Sequence, residues 1–271
     1  MSTIRSATVA GLFYPDDKEK LSNIINSFLQ DAEPAIKPEK IFGIVSPHAG
    51  YTYSGNTAAY VYNLIKGKKY NRVIIISPSH SEYFPGVSVY EGDAYETPLG
   101  LLEVDREFAD KLVTETKSIY KGVEGHRKEH ALEVQLPFLQ VVLEDFKIVP
   151  LVMGDQSRKL IDELAAKLAE NVDDETLIVS SSDMSHFYSK SQANKLDSVV
   201  EKRINNYDFE GLQSDLESRN TEACGGGPIV VLMKTASLRN IKNSKVVHRS
   251  DSGDVSGDNN EVVGYLSAVL Y

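Results

Sequence analysis

The chain has one cysteine, Cys224, and the residues that follow it favour a reactive environment for its sulfur. Three glycines come directly after it, and Pro228 then precedes an apolar run over residues 229–238. Proline suits the first position of a helix, where no backbone N–H is needed. The pattern predicts that Cys224 lies at a helix N-terminus, where the helix dipole favours a thiolate. A thiolate is a nucleophile and a soft metal ligand, whereas the alternative is a small buried apolar side chain.

Three of the six histidines, His48, His80 and His186, each stand just beyond an apolar run that predicts a buried strand. In an open parallel sheet the carboxyl ends of the strands share one edge, and ligands bind outside that edge. Two neutral imidazoles and the thiolate of Cys224, with one position left open, would suit zinc, iron or copper. The remaining histidine could then act as an acid or base. The alternative is three loop histidines that form only local hydrogen bonds.

Two further residues stand near these candidates. Asp183 precedes His186 by three positions and could either orient an imidazole or cap a helix. If residues 126–138 are helical, His130 and Glu133 share one face and could form a proton relay. The alternative for His130 is a hydrogen-bonded histidine at a helix start.

The acidic, turn-rich stretch over residues 250–260 offers alternating oxygen ligands, but it lacks the regular spacing and the late glutamate of a calcium loop. It is therefore predicted to be either a structured active-site loop or a solvated turn.

The elements that must position these residues follow from apolar periodicity. Strands are predicted over residues 41–45, 73–76, 87–90, 148–153, 176–180 and 262–270. Helices are predicted over residues 17–31, 54–66, 105–116, 157–170, 189–205 and 229–238. Strands that alternate with helices, several of them apolar throughout, indicate an α/β fold with a mostly parallel sheet between two layers of helices. No break in composition divides residues 1–271, so one domain is predicted.

Composition limits the partners. The formal net charge is −10, which argues against non-specific nucleic-acid binding and against anionic membranes. No apolar run is long enough for a membrane span, and the N-terminus lacks the apolar segment of a signal peptide. A single cysteine permits no internal disulfide, which favours the reducing cytoplasm as the location.

At the level of motifs, the sequence resembles the Memo family, protein B of the AmmeMemoRadiSam system. The matching pieces are Arg5 with AGLFYP at 10–15, PHAGY at 47–51 with YSG at 53–55, SPSH at 77–80, EHALEVQLP at 129–137, SSDMSHF at 181–187, CGG at 224–226, and SGDVSGD at 252–258 with VGY at 263–265. They occur in order over almost the whole chain, so the resemblance covers residues 5–265.

The Memo family is similar in fold to the class III (LigB-type) extradiol dioxygenases, which are non-haem iron enzymes. This resemblance implies that His48, His80 and Cys224 bind one divalent or redox-active metal ion, iron before copper or zinc. It also implies that His186 is the catalytic acid or base. Asp183 and His130 are further catalytic candidates on the residue pattern alone. Cys224 stands where the dioxygenases have a carboxylate, which changes the expected metal preference.

Three functions remain open at this point. The first is a metal-dependent redox enzyme that acts on a small substrate or dioxygen. The second is a non-catalytic module that binds a peptide or a phospho-ligand. The third, implied by the resemblance, is a subunit that works with an AMMECR1-type protein and a radical SAM enzyme.

Overall fold

A nine-stranded mixed β-sheet forms the centre of the protein, in a computed structural model that describes residues 3–271. In chain order the strands are β1 (Ile4–Arg5), β2 (Gly43–Ser46), β3 (Arg72–Pro78), β4 (Val87–Tyr90), β5 (Ala94–Thr97), β6 (Gly100–Glu103), β7 (Ile119–Gly122), β8 (Lys147–Met153), β9 (Thr176–Ser181), β10 (His186–Tyr188), β11 (Ser244–Asp251) and β12 (Val262–Leu270). Strands β1, β5 and β6 form a second, smaller sheet.

The large sheet has the strand order β10-β12-β2-β9-β3-β8-β4-β7, and β11 also pairs with β12. Its four central strands, β2, β9, β3 and β8, run parallel. On one side β12 is antiparallel to β2, and on the other β4 is antiparallel to β8. The predicted parallel sheet is therefore confirmed for the centre, while antiparallel strands extend it on both sides.

Helices cover both faces of this sheet, and the described residues form ten of them. In chain order they are α1 (Lys18–Asp31), α2 (Tyr51–Ile65), α3 (Arg106–Leu112), α4 (His130–Glu133), α5 (Gln135–Val142), α6 (Arg158–Asn171), α7 (Lys190–Asn205), α8 (Phe209–Glu217), α9 (Gly226–Leu238) and α10 (Gly253–Ser256). None of the helices in this part of the chain combines the length and the apolar character that a membrane span requires.

Strand β3 shows how the sheet separates two apolar cores. Successive side chains of a strand point to opposite faces. Val73 and Ile75 accordingly pack in the core that α1, α2 and α5 cover, while Ile74 and Ile76 pack in the core under α6 and α9. All four side chains are fully buried, which explains why the strand is apolar throughout. The predicted α/β fold in one domain, with helices on both faces, is confirmed.

The parallel strands end at the edge that carries the candidate residues. His48 follows β2 by two residues, His80 follows β3 by two, and Asp183 follows β9 by two. Because β2, β9 and β3 are direct neighbours in the sheet, these three loops lie side by side. The fold therefore brings the predicted site residues to one place from positions far apart in the sequence.

Candidate metal centre

Three imidazoles and the sulfur of Cys224 meet at this edge of the large sheet. The ring centroids of His48 and His80 are 5.1 Å apart, and the ring of His130 lies 5.4 Å from the first and 4.7 Å from the second. Sγ of Cys224 is 3.0 Å from Nε2 of His48. The structure thus brings these four predicted site residues together.

Cys224 lies in the turn before α9. In this turn the backbone at Gly225 packs closely against the end of β9, so the cysteine sulfur lies beside that strand end. A Cβ atom at Gly225 would stand 2.1 Å from the carbonyl oxygen of Ser181, so the approach requires glycine. The backbone N–H of Asp183 donates to Cys224 Sγ at 3.2 Å. Helix α9 begins at Gly226, two residues beyond the cysteine.

The protonation of Cys224 differs from the prediction made from the helix dipole. Burial raises the pKa of the thiol far above its usual range, and the nearby carboxyl of Asp183 raises it further. The thiolate prediction is therefore wrong for the free side chain, because desolvation outweighs the helix dipole. A bound metal cation would reverse this balance, since a coordinating thiol loses its proton.

His48 is a neutral imidazole in a fixed orientation. Its Nδ1 atom lies 2.9 Å from Oγ of Ser181, and its backbone N–H donates to Oδ1 of Asp183 at 2.7 Å. Burial lowers the pKa of His48 well below its usual value, and the neighbouring imidazoles of His80 and His130 lower it further. Neutral imidazole is the form that binds metal ions.

His80 is oriented by Glu129, which sequence reasoning left without a role. Nδ1 of His80 is 2.8 Å from Oε1 of Glu129, and the backbone N–H of His80 donates to Oε2 at 2.6 Å. Burial alone would raise the pKa of Glu129, but the hydrogen bonds from His80 hold it below its usual value. An ionised carboxylate behind an imidazole is a common partner of metal-binding histidines. Its only sequence signal was its position directly before His130.

The predicted relay between His130 and Glu133 is wrong. The carboxylate of Glu133 turns away from the site and binds Arg5, and it accepts from the hydroxyl of Tyr14 at 2.6 Å. The carboxylate beside His130 belongs instead to Glu129, 3.3 Å from Nδ1. The sequence correctly placed His130 and Glu133 on one helix. The direction of the Glu133 side chain, however, is set by its ion pair with Arg5, which lies far away along the chain.

Asp183 lies beside the imidazole of His48 and does not cap a helix. Its Oδ2 atom is 4.0 Å from Nε2 of His48, and Oδ1 accepts from the backbone of the same residue. Burial raises the pKa of Asp183 to about 7. The N-cap of the next helix, α7, is Ser189. Of the two predicted alternatives, the structure favours orientation of His48.

His186 is the first residue of β10 and forms the far side of the site. Its backbone N–H donates to Oε1 of Glu222 at 2.9 Å. The ring is partly buried, and burial lowers the pKa of His186. His186 is also close enough to lower the pKa of His48. It is thus a neutral imidazole near the centre, which suits the predicted role of proton acceptor.

The residues present fit the predicted metal ion. His48, His80 and Cys224 each offer one ligand atom, and these three atoms lie within 4.8 Å of one another. Nδ1 of each imidazole faces Ser181 or Glu129, which leaves Nε2 for the site. Two imidazoles and one sulfur with outer hydrogen-bond partners form a donor set for zinc, iron or copper.

A second group, His80 with Glu129 and His130, meets the same distance limit. The carboxylate of Glu129 already accepts from the backbone N–H groups of His80 and Ala131. We therefore assign Glu129 to orienting His80.

The acidic stretch after β11 forms a short helix rather than a calcium loop. Helix α10 begins beside Asp251, and Nζ of Lys190 binds the carboxylates of Asp251 and Asp254 at 3.0 and 2.5 Å. The lysine neutralises charge that would otherwise attract a cation. The calcium ligand pattern was already incomplete in the sequence, and the structure supplies a cationic partner instead.

His126 gives a pH-dependent prediction for stability. Burial lowers the pKa of His126 to about 3, against 6.5 for the unperturbed side chain. Between these values the unfolded chain binds a proton that the folded chain does not, so stability falls as the pH falls below 6.5. We expect His126→Gln to reduce the slope of the unfolding free energy against pH by about 1 kcal/mol per pH unit in the range pH 5 to 6.5. Urea unfolding between pH 5 and 6.5 would measure it, and equal slopes would contradict the prediction.

Comparison with known proteins gives a family match over almost the whole chain. A family model described as "Memo-like protein" matches residues 5–269. A "MEMO1 family protein" of Methanobrevibacter smithii is 38% identical over 280 residues, covering 98% of this chain and 99% of the relative. Relatives with the same family name from Thermoplasma volcanium and Nitrosopumilus maritimus are each 37% identical. Alignment to the first covers 98% of both chains, and alignment to the second covers 97% of this chain and 98% of the relative.

Proposed function

The chain belongs to the Memo family, and on that premise we propose that it is a metal-dependent oxidoreductase whose metal ion is held by His48, His80 and Cys224. The observation that carries the proposal is the 3.0 Å approach of Cys224 Sγ to Nε2 of His48, beside His80. When bound, iron or copper would supply electron transfer and Lewis acidity. Three protein ligands leave a coordination position for a substrate.

The exposure of the residues indicates how a substrate would enter. The side chain of His48 is 2% exposed, whereas those of His80 and His130 are 33% and 23% exposed. The centre is therefore closed on the side of β2 and open on the side of His80 and His130. A small substrate would approach from this side and would meet His80 and His130 first.

His186 and His130 would handle the protons. Burial lowers the pKa of both imidazoles, so each is neutral near pH 7 and can accept a proton from a hydroxyl group of the substrate. His130 packs against the ring of Phe13 at 4.8 Å, which limits its movement. We assign His186 as the main base, because Glu222, which accepts from its backbone, favours the imidazolium that it forms. A small aromatic diol presents two such hydroxyl groups.

Oxygen uptake tests this function directly. Protein loaded with Fe²⁺ under anaerobic conditions is mixed with buffer that contains dioxygen and catechol or another small diol. We expect uptake above that of metal-free protein, and we expect His186→Gln to lower the rate by about 10²–10⁴-fold without changing the iron content.

His248→Gln is the matched control for that substitution. His248 hydrogen-bonds Thr57 and stacks on Tyr60 at 4.0 Å, outside the group of candidate ligands. This variant should keep the wild-type rate. Uptake that does not require iron, or an unchanged rate in His186→Gln, would contradict the proposal.

A further inference from the structure

Behind His48 runs a chain of buried hydrogen bonds that the proposed reaction does not use. It joins Tyr62 on α2, Gln135 on α5 and Ser181 at the end of β9 to the imidazole of His48. All four side chains are at most 2% exposed, so each donor and acceptor must find its partner inside the protein. The direction of every hydrogen bond in this chain can be deduced from two backbone carbonyl groups.

The first carbonyl fixes the proton of Ser181. Oγ of Ser181 lies 2.6 Å from the carbonyl oxygen of Ala131. A carbonyl oxygen can only accept, and a serine hydroxyl has only one proton to donate. That proton is therefore committed to Ala131, and every other contact of Ser181 Oγ must be one in which the oxygen accepts.

The second carbonyl fixes the side-chain amide of Gln135. Its Nε2 atom lies 3.0 Å from the carbonyl oxygen of Pro47, so this atom must be the amide nitrogen. The same Nε2 donates to Oγ of Ser181 at 2.8 Å, and Oε1 accepts from the hydroxyl of Tyr62 at 2.6 Å. Both N–H groups of Gln135 therefore donate hydrogen bonds. The bond to Ser181 Oγ keeps the serine hydroxyl pointing at the carbonyl oxygen of Ala131.

These directions determine the tautomer of His48. Nδ1 lies 2.9 Å from Ser181 Oγ, which has no proton left to give, so Nδ1 must carry the proton. A neutral imidazole has one N–H, so Nε2 then carries a free lone pair. Nε2 is the atom that faces Sγ of Cys224 at 3.0 Å.

We propose that Ser181 is a positioning residue, which holds His48 in the Nδ1–H tautomer so that its Nε2 lone pair is ready to bind a metal ion. Gln135 supports it by fixing the serine hydroxyl. The binding of a metal ion by His48 rests on the proposed function, whereas the tautomer of its imidazole does not. His126 provides a contrast within the same protein, because its Nε2 lies 3.0 Å from the carbonyl of Ser88 and must carry the proton.

Nitrogen NMR of the metal-free protein tests the tautomer. Protein labelled with ¹⁵N only at histidine gives long-range ¹⁵N–¹H correlations that distinguish a protonated from an unprotonated ring nitrogen. His48→Gln and His126→Gln assign the two residues. We expect Nδ1–H at His48 and Nε2–H at His126. Nε2–H at His48 in the wild-type protein would overturn the proposal without the need for any variant.

Ser181→Ala tests the cause. Without the acceptor, we expect the Nε2–H tautomer to become the major form of His48, while His126 stays unchanged. We expect the affinity for Zn²⁺ to fall by about 10–100-fold, the usual effect of losing the outer partner of a metal-binding histidine. An unchanged tautomer in a folded Ser181→Ala protein would overturn the proposal.

Ser180→Ala is the matched control. Ser180 is the preceding residue of β9, it is fully buried, and its hydroxyl has no hydrogen-bond partner in the described structure. This variant loses the same atom from the same strand, and we expect neither the tautomer nor the Zn²⁺ affinity to change. If His48 shows the expected tautomer but the wild-type protein binds no Zn²⁺, Fe²⁺ or Cu²⁺, the proposed function fails while the role of Ser181 in setting the tautomer stands.

Discussion

Replacing Cys224 by alanine is expected to weaken metal binding by more than about 100-fold, which exceeds the usual effect of removing an outer partner of a metal ligand. Cys224 is the only cysteine in the chain, and its sulfur faces Nε2 of His48 at 3.0 Å. Its loss would leave two imidazoles to hold the ion. Titration with Fe²⁺ and Zn²⁺ under anaerobic conditions, with metal content measured by mass spectrometry, checks this result.

Two further variants make that experiment specific. His48→Ala should also lose the metal, because it removes the partner of the sulfur. His248→Ala removes an imidazole of the same kind from β11, outside the candidate ligand group, and should keep the wild-type metal content. Full metal content in either Cys224→Ala or His48→Ala would contradict the assignment of the ligands.

Replacing Arg5 by methionine is expected to lower the unfolding free energy by about 3–5 kcal/mol, the usual cost of removing one partner from a buried ion pair. Arg5 is 7% exposed and Glu133 is fully buried, and the two are directly paired. The guanidinium also donates to the carbonyl oxygens of His126 and Glu129, at 2.7 and 2.8 Å. Without it, the carboxylate of Glu133 would remain buried with neutral donors only.

Urea unfolding at pH 7 measures this effect, and two variants test its cause. Arg5→Met combined with Glu133→Gln should recover part of the loss, because the double variant no longer buries an unpaired charge. Arg158→Met removes an arginine that pairs with Glu210 and Glu217 at the surface, and it should have little effect. An Arg5→Met protein with wild-type stability would contradict the assignment of this ion pair.

The apolar runs of the sequence were sufficient to predict the central strands and the α/β fold. Continuous β-branched runs such as 73–76 are typical of strands covered on both faces, and β3 is such a strand. The sequence predicted β4 and β12 as strands, but it did not predict that they are antiparallel to their neighbours β8 and β2. Their pairing depends on contacts between distant segments, such as β12 with β2, which local patterns do not encode.

The candidate ligands were also within reach of the sequence, because strand ends and a glycine-rich turn marked His48, His80 and Cys224. Their partners were not. Ser181 hydrogen-bonds His48, which lies 133 residues away along the chain, and Glu129 hydrogen-bonds His80, which lies 49 residues away. The state of Cys224 was predicted from the helix dipole alone, but the desolvation that raises its pKa became visible only in the folded chain.

X-ray absorption spectroscopy of the zinc-loaded protein tests the central claim most directly, since it reports the atoms bound to the metal. The geometry around His48, His80 and Cys224 predicts one sulfur at about 2.3 Å and two imidazole nitrogens at about 2.0–2.1 Å. The sulfur should disappear in Cys224→Ala. A shell of nitrogen and oxygen atoms alone in the wild-type protein would contradict the claim that Cys224 is a metal ligand.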